Sequence, residues 1–280
     1  MSIDLHIHSR YSDGTMSPEE LLVYAKKKGL EAVALTDHDT VDGVREAVRL
    51  GRKLDLEVIS GIEISAIYGK TTVHILGYLF DMQNEVFLGA IERLQKARIE
   101  RNRKILQLLE KQGIHLQEEE IADVSQIGQT GRPHIAKVLI NKGLVANIDE
   151  AFGRYLGDDG CAYVRRFVFS ADEVLNLIHQ AGGVAVLAHP MQLVKKGLEL
   201  NSVIGKLVDQ GLDGLELYYP THSKKNRATL LQFVERYSLV VSGGSDYHGD
   251  MRPGTTLAGG KNVTVPSSVL AGLKKRILDR

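Results

Sequence analysis

Seven short runs of apolar and β-branched residues recur along the chain, and helical patterns lie between many of them. The runs cover residues 3–7, 32–36, 57–64, 72–78, 183–188, 214–218 and 239–242. Most of them are almost continuously apolar, which is typical of strands that are covered on both faces. Strands that alternate with helices predict parallel pairing in a layered or barrel-like α/β fold.

Residues 80–162 interrupt this alternation, because they show helical patterns and no convincing strand. We therefore expect a helical insertion domain at 80–162, between the fourth and fifth strands, and a barrel domain built from 1–79 and 163–280. The long helix of the insertion is basic, and its cations are Arg93, Lys96, Arg98, Arg101, Arg103, Lys104 and Lys111. A solvated helix face is the common explanation of such a run. The alternative is a contact with a phosphate backbone beside the active site.

Composition and net charge limit the partners, the metal sites and the location that we expect for this chain. The chain has 280 residues, and its 35 basic and 35 acidic side chains give no net charge. Global charge therefore does not indicate a nucleic-acid or membrane partner, and any anion must be attracted locally. The single cysteine, Cys161, excludes an internal disulfide and a cysteine-based metal site. No apolar run approaches the ~18 residues needed to span a bilayer, and the first residues resemble no secretory signal, so we expect a cytoplasmic enzyme.

Histidines and carboxylates cluster at or near the ends of six of the expected strands. They are His6, His8, Asp13, His38, Glu63, His74, His189, Asp246 and His248. A lone His38 or His74 is more often a hydrogen-bonded structural histidine, and an isolated aspartate such as Asp37 or Asp39 is often a helix cap. The carboxyl ends of parallel strands, however, face one common site. So many polar groups in one place are costly without partners, and the set therefore predicts metal coordination.

In their order and spacing these motifs resemble the PHP family, named for polymerase and histidinol phosphatase domains. The motifs are His6-x-His8, Asp13, Thr36-Asp37-His38, Gly61-Ile62-Glu63, His74, Ala188-His189-Pro190 and Ser245-Asp246-x-His248. The resemblance covers essentially the whole chain, and all nine positions of the family's ligand pattern are filled. It implies an α/β fold, a distorted seven-stranded (β/α) barrel that holds three divalent metal ions.

The resemblance also implies a role for each ligand. The first metal would be held by the catalytic set His6, His8, Glu63 and Asp246. Glu63 would bridge to the second metal, which His74 and His189 complete, and the third would be held by Asp13, His38 and His248. Mixed imidazole and carboxylate ligands suit manganese, iron or zinc, and we favour Mn²⁺.

The insertion narrows the resemblance to one branch. The segments that carry it are Gly131-Arg132-Pro133-His134-Ile135-Ala136, Ala151-Phe152-x-x-Tyr155-Leu156-x-Asp158-Asp159-Gly160 and Ala162-Tyr163-Val164. They look like the bacterial nucleoside 3′,5′-bisphosphate phosphatases, a group that includes 5′→3′ exoribonuclease activity on short RNA and RNA 5′ ends. The resemblance implies that Arg132 and His134 bind substrate, although an ion pair and a helix cap are their ordinary alternatives. His222, after the sixth strand, is placed to meet the leaving group, although a surface histidine is equally plausible there.

Charge is consistent with phosphate chemistry. Three divalent ions and three carboxylates leave about three positive charges in excess, which a phosphate dianion and a hydroxide nearly neutralise. The hypothesis is in-line attack on a phosphomonoester by a hydroxide that bridges two metals. The expected substrate is a nucleoside 3′,5′-bisphosphate such as pAp, or a short 5′-phosphorylated RNA. One phosphate reacts, and the insertion supplies a positive site for the other.

Three other functions stay open at this point. A histidinol phosphate phosphatase would share the barrel and the metals, but so small a substrate does not explain the insertion. A proofreading exonuclease is less favoured, because the chain is too short to include a DNA polymerase. A catalytically inactive metal-binding or RNA-binding module is expected to have an incomplete ligand set, whereas this set is complete. The sequence does not indicate an oligomeric state.

Overall fold

The computed structural model describes residues 2–125, 127–259 and 263–279. One sheet of nine strands runs through it, in the order β8-β7-β6-β4-β3-β2-β1-β9, with β5 beside β3. The strands are β1 Ser2–Ile7, β2 Leu30–Leu35, β3 Glu57–Tyr68, β4 Thr71–Tyr78, β5 Phe169–Ser170, β6 Val184–Leu187, β7 Gly214–Tyr218, β8 Val240–Gly243 and β9 Val265–Pro266. A parallel bridge from Ile7 to Tyr247 joins β1 to the segment after β8, so the sheet forms a nearly closed barrel.

The α/β barrel class and the seven expected strands are confirmed, and β5 and β9 are short additions of two residues each. The expectation of parallel pairing is wrong for one strand. β4 runs antiparallel to both of its neighbours, β3 and β6. Only Gly69 and Lys70 separate β3 from β4, and Gly69 has a φ of 60°. A turn this short joins antiparallel strands, because a parallel connection needs a dozen or more residues.

Helices cover the sheet and fill the segment between β4 and β5. They are α1 Pro18–Lys27, α2 Val44–Leu54, α3 Glu85–Lys111, α4 Glu118–Ser125, α5 Arg132–Asn141, α6 Ile148–Ala151, α7 Ala171–Gln180, α8 Met191–Lys195, α9 Leu200–Asp209, α10 Lys224–Tyr237 and α11 Ser268–Leu278. A π-helical turn, Phe152–Leu156, follows α6, and a 3-10 turn covers Gly249–Met251. No helix in the described part of the chain is long and apolar enough to cross a membrane.

The ends of α1 show how the sequence sets an element. Ser17 accepts a hydrogen bond from the backbone N–H of Glu20, and the Glu20 side chain accepts one from the backbone of Ser17. Pro18 fits the first turn because backbone N–H groups in the first turn of a helix have no acceptor within the helix. The N–H that proline lacks is therefore not needed there. Gly29, with a φ of 74°, follows the last residues of the helix and supports the left-handed turn that ends it.

The segment between β4 and β5 has a hydrophobic core of its own, formed by residues that include Ile105, Ile135, Leu139 and Leu156. The first part of α3 packs instead against the barrel, through Phe87, Ile91 and Leu94. One helix of 27 residues, about 40 Å long, is therefore embedded in both cores. The domain division at residues 79/80 and 162/163 stays a prediction.

Candidate active site

The structure brings all nine of the expected metal ligands to one end of the barrel. Their donor atoms form three overlapping groups, and within each group the atoms lie within 4.8 Å of one another. The groups are His6, His8, Glu63 and Asp246; His8, Asp13, His38 and His248; and His38, Glu63 and His74. His189 joins them through Glu63, whose Oε1 lies 2.9 Å from His189 Nε2. The assignment of each residue to a particular ion stays a prediction.

Several of these donor atoms are buried without a hydrogen bond to any described residue. They are His6 Nε2, His8 Nδ1 and Nε2, Asp13 Oδ1 and His38 Nδ1. A buried polar atom that lacks a partner costs about 1–3 kcal/mol. A divalent cation would supply the missing partner, and imidazole with carboxylate is a donor set that such cations accept. The residues present therefore fit a metal centre.

The histidines and carboxylates of the cluster shift one another's pKa values. Burial raises the pKa of the Glu63 carboxyl, but surrounding histidines, among them His74 and His6, outweigh burial and hold that pKa well below its ordinary value. Burial lowers the pKa of His38 to about 3, which keeps this imidazole neutral, as a metal ligand must be. The opposite holds for His8, because the carboxylates of Asp246 and Glu63 outweigh the effect of burial and raise the pKa of His8 to about 10. A metal must therefore displace a proton from His8.

A buried carboxylate that the sequence did not single out orients two of the ligands. Glu216 Oε1 lies 2.8 Å from His6 Nδ1, and Glu216 Oε2 accepts a hydrogen bond of 2.6 Å from the backbone N–H of His189. With Nδ1 of His6 donating to Glu216, Nε2 of the same ring is free to bind metal. A signal was present in the sequence, since Glu216 is the one charged residue of the otherwise apolar strand β7.

A second set of contacts fixes Asp246. Tyr219 donates a hydrogen bond of 2.8 Å from its hydroxyl to Asp246 Oδ2, and Arg252 pairs with the same oxygen. Asp246 Oδ1 is thereby turned toward His8 Nε2, at 3.2 Å. Asp246 and His189 have φ values of 51° and 31°, in a region that residues other than glycine rarely adopt. Backbone strain of this kind is typical of functional sites.

The buried carboxylate of Asp37 holds the loop that carries Asp13. Asp37 accepts hydrogen bonds of 2.7 Å from the backbone N–H of Ser9 and of 2.6 Å from each of the Ser9 and Ser12 hydroxyls. Asp37 is buried and is not a helix cap, because α2 begins after Gly43. Its carboxylate therefore ties the end of β1 to the turn from which Asp13 projects.

A cavity opens beside the metal-ligand cluster, and five arginines contribute to its lining. Asp13, His38 and His74 line it together with Arg98, Arg101, Arg132, Arg165 and Arg166. Burial, with Arg98 and Arg166 close by, holds the pKa of Arg101 well below its usual range. Positive charge concentrated in this way attracts an anion. Arg98 and Arg101 belong to the basic helix, so at least these two of its cations face the site rather than solvent.

The three expected substrate-binding residues differ in position. Arg132 lines the cavity, donates a hydrogen bond of 3.0 Å from Nη1 to the Leu156 carbonyl, and lies over the rings of Phe152 and Tyr163. His134 caps α5, since its Nδ1 accepts the backbone N–H of Gly131 at 2.9 Å, and it faces a smaller neighbouring cavity. Their roles toward substrate stay predictions, and the geometry favours Arg132.

His222 is fully buried behind Tyr219. Its Nδ1 donates a hydrogen bond of 3.0 Å to the Leu217 carbonyl, and its ring centre lies 5.1 Å from that of Tyr219. His222 is absent from the described residues that line the arginine cavity. This position does not favour the expected contact with a leaving group.

Comparison with known proteins gives consistent similarities. The model of the PHP domain matches residues 4–157. The 5′-3′ exoribonuclease of Haemophilus influenzae is 33% identical over 95% of this chain and 96% of its own length. The 3′,5′-nucleoside bisphosphate phosphatase of Chromobacterium violaceum is 30% identical over 88% of this chain and 87% of its own. A solved structure from Bifidobacterium adolescentis, proposed to be a metal-dependent phosphoesterase, superposes with a TM-score of 0.89 at 30% identity and covers 99% of this chain and 98% of that one.

Proposed function

Since the chain belongs to the PHP domain family, we propose that it is a metal-dependent phosphoesterase that removes the 3′-phosphate of nucleoside 3′,5′-bisphosphates. We propose the same site for 5′→3′ exoribonuclease action on short RNA and RNA 5′ ends. One observation carries the proposal: three residues of the metal-ligand cluster, Asp13, His38 and His74, line the same cavity as five arginines. Such a cavity suits a substrate with two phosphates, one at the ligands and one among the arginines.

The resident group that we propose is a set of three divalent ions, with Mn²⁺ favoured over Fe²⁺ and Zn²⁺. His6, His8, Glu63 and Asp246 would hold the first; Glu63, His74 and His189 the second; and Asp13, His38 and His248 the third. When bound, such ions lower the pKa of a coordinated water and offset negative charge on phosphoryl oxygens.

The chain's own residues prepare the site for that chemistry. Glu216 holds the ring of His6, and the Tyr219 hydroxyl and Arg252 hold Asp246, so these ligands need little rearrangement. The arginines supply the fixed charge that attracts and orients phosphate oxygens. Arg132 Nη1 is bonded to a backbone carbonyl, which fixes its guanidinium plane beside the cavity.

The substrate class follows from the need for two phosphates. In pAp the 3′-phosphate reacts and the 5′-phosphate serves for recognition. The 5′ end of an RNA presents a 5′-phosphate and a 3′-phosphodiester at a similar spacing. The phosphate ester of a neutral sugar or of a small amino alcohol leaves most of the arginines without an anionic partner. This disfavours histidinol phosphate as the substrate.

The test is phosphate release from pAp, adenosine 3′-monophosphate and histidinol phosphate, measured side by side with added Mn²⁺. We expect kcat/KM for pAp to exceed that for the monophosphate by at least about 10-fold, the worth of one charge-assisted hydrogen bond. Equal values for pAp and the monophosphate would remove the two-phosphate argument. A preference for histidinol phosphate would replace the proposal.

A catalytically inactive binding module is separated by a second measurement. Metal content by elemental analysis is compared between the wild-type protein and an Asp246→Ala variant. Bound metal together with no hydrolysis of any of these esters, or of a 5′-phosphorylated oligoribonucleotide, would favour the binding module. The cytoplasmic location stays a prediction.

A further inference from the structure

Asp39 lies at the junction of the barrel and the arginine cavity. Its carboxylate is fully buried, and its φ of 53° places the backbone in the left-handed region. Asp39 Oδ1 accepts a hydrogen bond of 2.8 Å from the backbone N–H of Ser65. Asp39 Oδ2 accepts one of 2.5 Å from Arg166 Nη2 and also one from Arg98. This carboxylate is not a helix cap, because α2 begins after Gly43.

The two arginines come from separate parts of the chain. Arg98 belongs to α3, whereas Arg166 lies in the segment that returns from the insertion to β5. Both side chains are mostly buried, with 11% and 8% of their surface exposed, and both line the cavity. A single oxygen of Asp39 thus holds two guanidinium groups side by side.

Each of these guanidinium groups uses only part of its donor set for Asp39. Arg98 binds Asp39 through Nη2, and its buried Nε has no hydrogen-bond partner in the described part of the chain. A guanidinium carries five N–H donors in a planar fork, so donors remain for an anion in the cavity. Five arginines and one carboxylate, Asp13, line the cavity, and Asp39 adds one buried negative charge beside Arg98 and Arg166, so the cavity keeps a surplus of positive charge.

We propose that Asp39 is a positioning residue for the phosphate that is not cleaved, because it holds Arg98 and Arg166 together with their free N–H groups toward the cavity. The inference rests on the proposed function, and it makes Asp39 a determinant of selectivity for substrates with a second phosphate. The physical reason is preorganisation, since two long flexible side chains that are already fixed lose less conformational entropy when the anion binds.

The test compares Asp39→Asn with Asp42→Asn. Asp42 lies three residues further along the same loop and is exposed, so its variant removes the same charge without touching the arginines. Two quantities are measured on the manganese-loaded protein. The first is kcat/KM for pAp and for adenosine 3′-monophosphate. The second is the dissociation constant of adenosine 5′-monophosphate, which carries only the phosphate that is not cleaved, determined by calorimetry.

We expect Asp39→Asn to lower kcat/KM for pAp by about 10- to 100-fold, the range for one or two charge-assisted contacts. The loss should appear mainly in KM. For adenosine 3′-monophosphate kcat/KM should change by less than about 3-fold, because this substrate has no second phosphate for Arg98 and Arg166 to bind. Binding of adenosine 5′-monophosphate should weaken in parallel with pAp, and Asp42→Asn should match the wild type. A merely structural defect would instead lower kcat/KM for both substrates to the same extent, and this result would overturn the inference.

Arg98→Lys is the second variant, in case Asp39→Asn does not fold. The ammonium group keeps the charge, but it lacks the fork that contacts Asp39 with one edge and a phosphate with another. Weaker binding of adenosine 5′-monophosphate to this variant supports the inference, whereas wild-type affinity overturns it. If binding of this nucleotide depends on Asp39 and yet the wild-type protein hydrolyses no ester, the proposed function fails and the positioning role of Asp39 stands. If the wild type hydrolyses pAp and Asp39→Asn behaves identically, only the inference fails.

Discussion

Replacing Glu216 by glutamine tests how the barrel orients its metal ligands. The carboxylate accepts two hydrogen bonds, one from His6 Nδ1 at 2.8 Å and one from the backbone N–H of His189 at 2.6 Å. An amide of the same size has only one oxygen to offer. In one orientation the amide NH₂ faces the His189 N–H, and two donors meet in a fully buried place. In the other orientation the NH₂ faces His6 Nδ1, which must then accept a hydrogen bond. The ring proton moves to Nε2, and this nitrogen no longer has a lone pair with which to bind metal.

Either orientation of the amide is costly. An unsatisfied buried donor costs about 1–3 kcal/mol, and loss of a group that orients a metal-bound histidine lowers metal affinity by about 10- to 100-fold. We therefore expect Glu216→Gln to bind Mn²⁺ about 10- to 100-fold more weakly, as measured by competition with a fluorescent chelator. Hydrolysis of pAp should be partly restored by excess Mn²⁺. Glu235→Gln, an exposed position on α10, is the matched control. Unchanged Mn²⁺ affinity in a folded Glu216→Gln protein would refute the reasoning.

Three further predictions concern protons, a loop and the insertion. Because nearby carboxylates raise the pKa of His8 to about 10, protons compete with metal. Metal affinity should rise with pH from about 6 to 9, with proton release seen by calorimetry in buffers of different ionisation enthalpy; a flat profile contradicts this. In the metal-free protein the free energy of unfolding depends on pH in the opposite direction. The raised pKa of His8 stabilises the fold most below pH ~6.5, and this stability is lost as the pH rises toward 10. Asp37→Ala frees the Ser9 and Ser12 hydroxyls, and we expect fewer bound ions per chain by elemental analysis, whereas full metal occupancy would rule out a role in holding Asp13. Leu139→Ala should lower the free energy of unfolding in urea by about 2–5 kcal/mol, and a loss below 1 kcal/mol would contradict the fully buried position of Leu139.

The sequence allowed the fold class and the convergence of the ligands to be predicted. Strand periodicity placed His6 and His8 on one side of β1, and the rule that the ends of parallel strands meet brought distant histidines together. The direction of β4 was missed because the expected strands, 57–64 and 72–78, left a gap of seven residues. In the structure both strands extend until only Gly69 and Lys70 separate them, which is a hairpin spacing. The reversal still leaves His74 in the cluster, because this residue pairs with Ser65 in the middle of the hairpin.

The supporting contacts were beyond sequence reasoning for a physical reason. Asp39 meets Arg166 across 127 residues, and Glu216 meets His6 across 210. No periodicity or spacing links residues so far apart. Glu216 stands out in the sequence only as the charged residue of an apolar strand, which does not identify its partner. Arg98 was visible only as one cation of a basic helix, and the cavity that sets it apart from its neighbours exists only once the chain is folded.

The continuous helix α3 fixes the distance between its arginines and the histidines of the barrel. Its first turns are embedded among barrel residues through Phe87 and Leu94, and its later turns are embedded in the insertion through Ile105 and Leu109. Arg98 and Arg101 lie between these two anchors, so their distance from the histidines is set by a rod with a fixed rise of about 1.5 Å per residue. The separation between these arginines and the metal-ligand cluster is therefore fixed by the geometry of one helix.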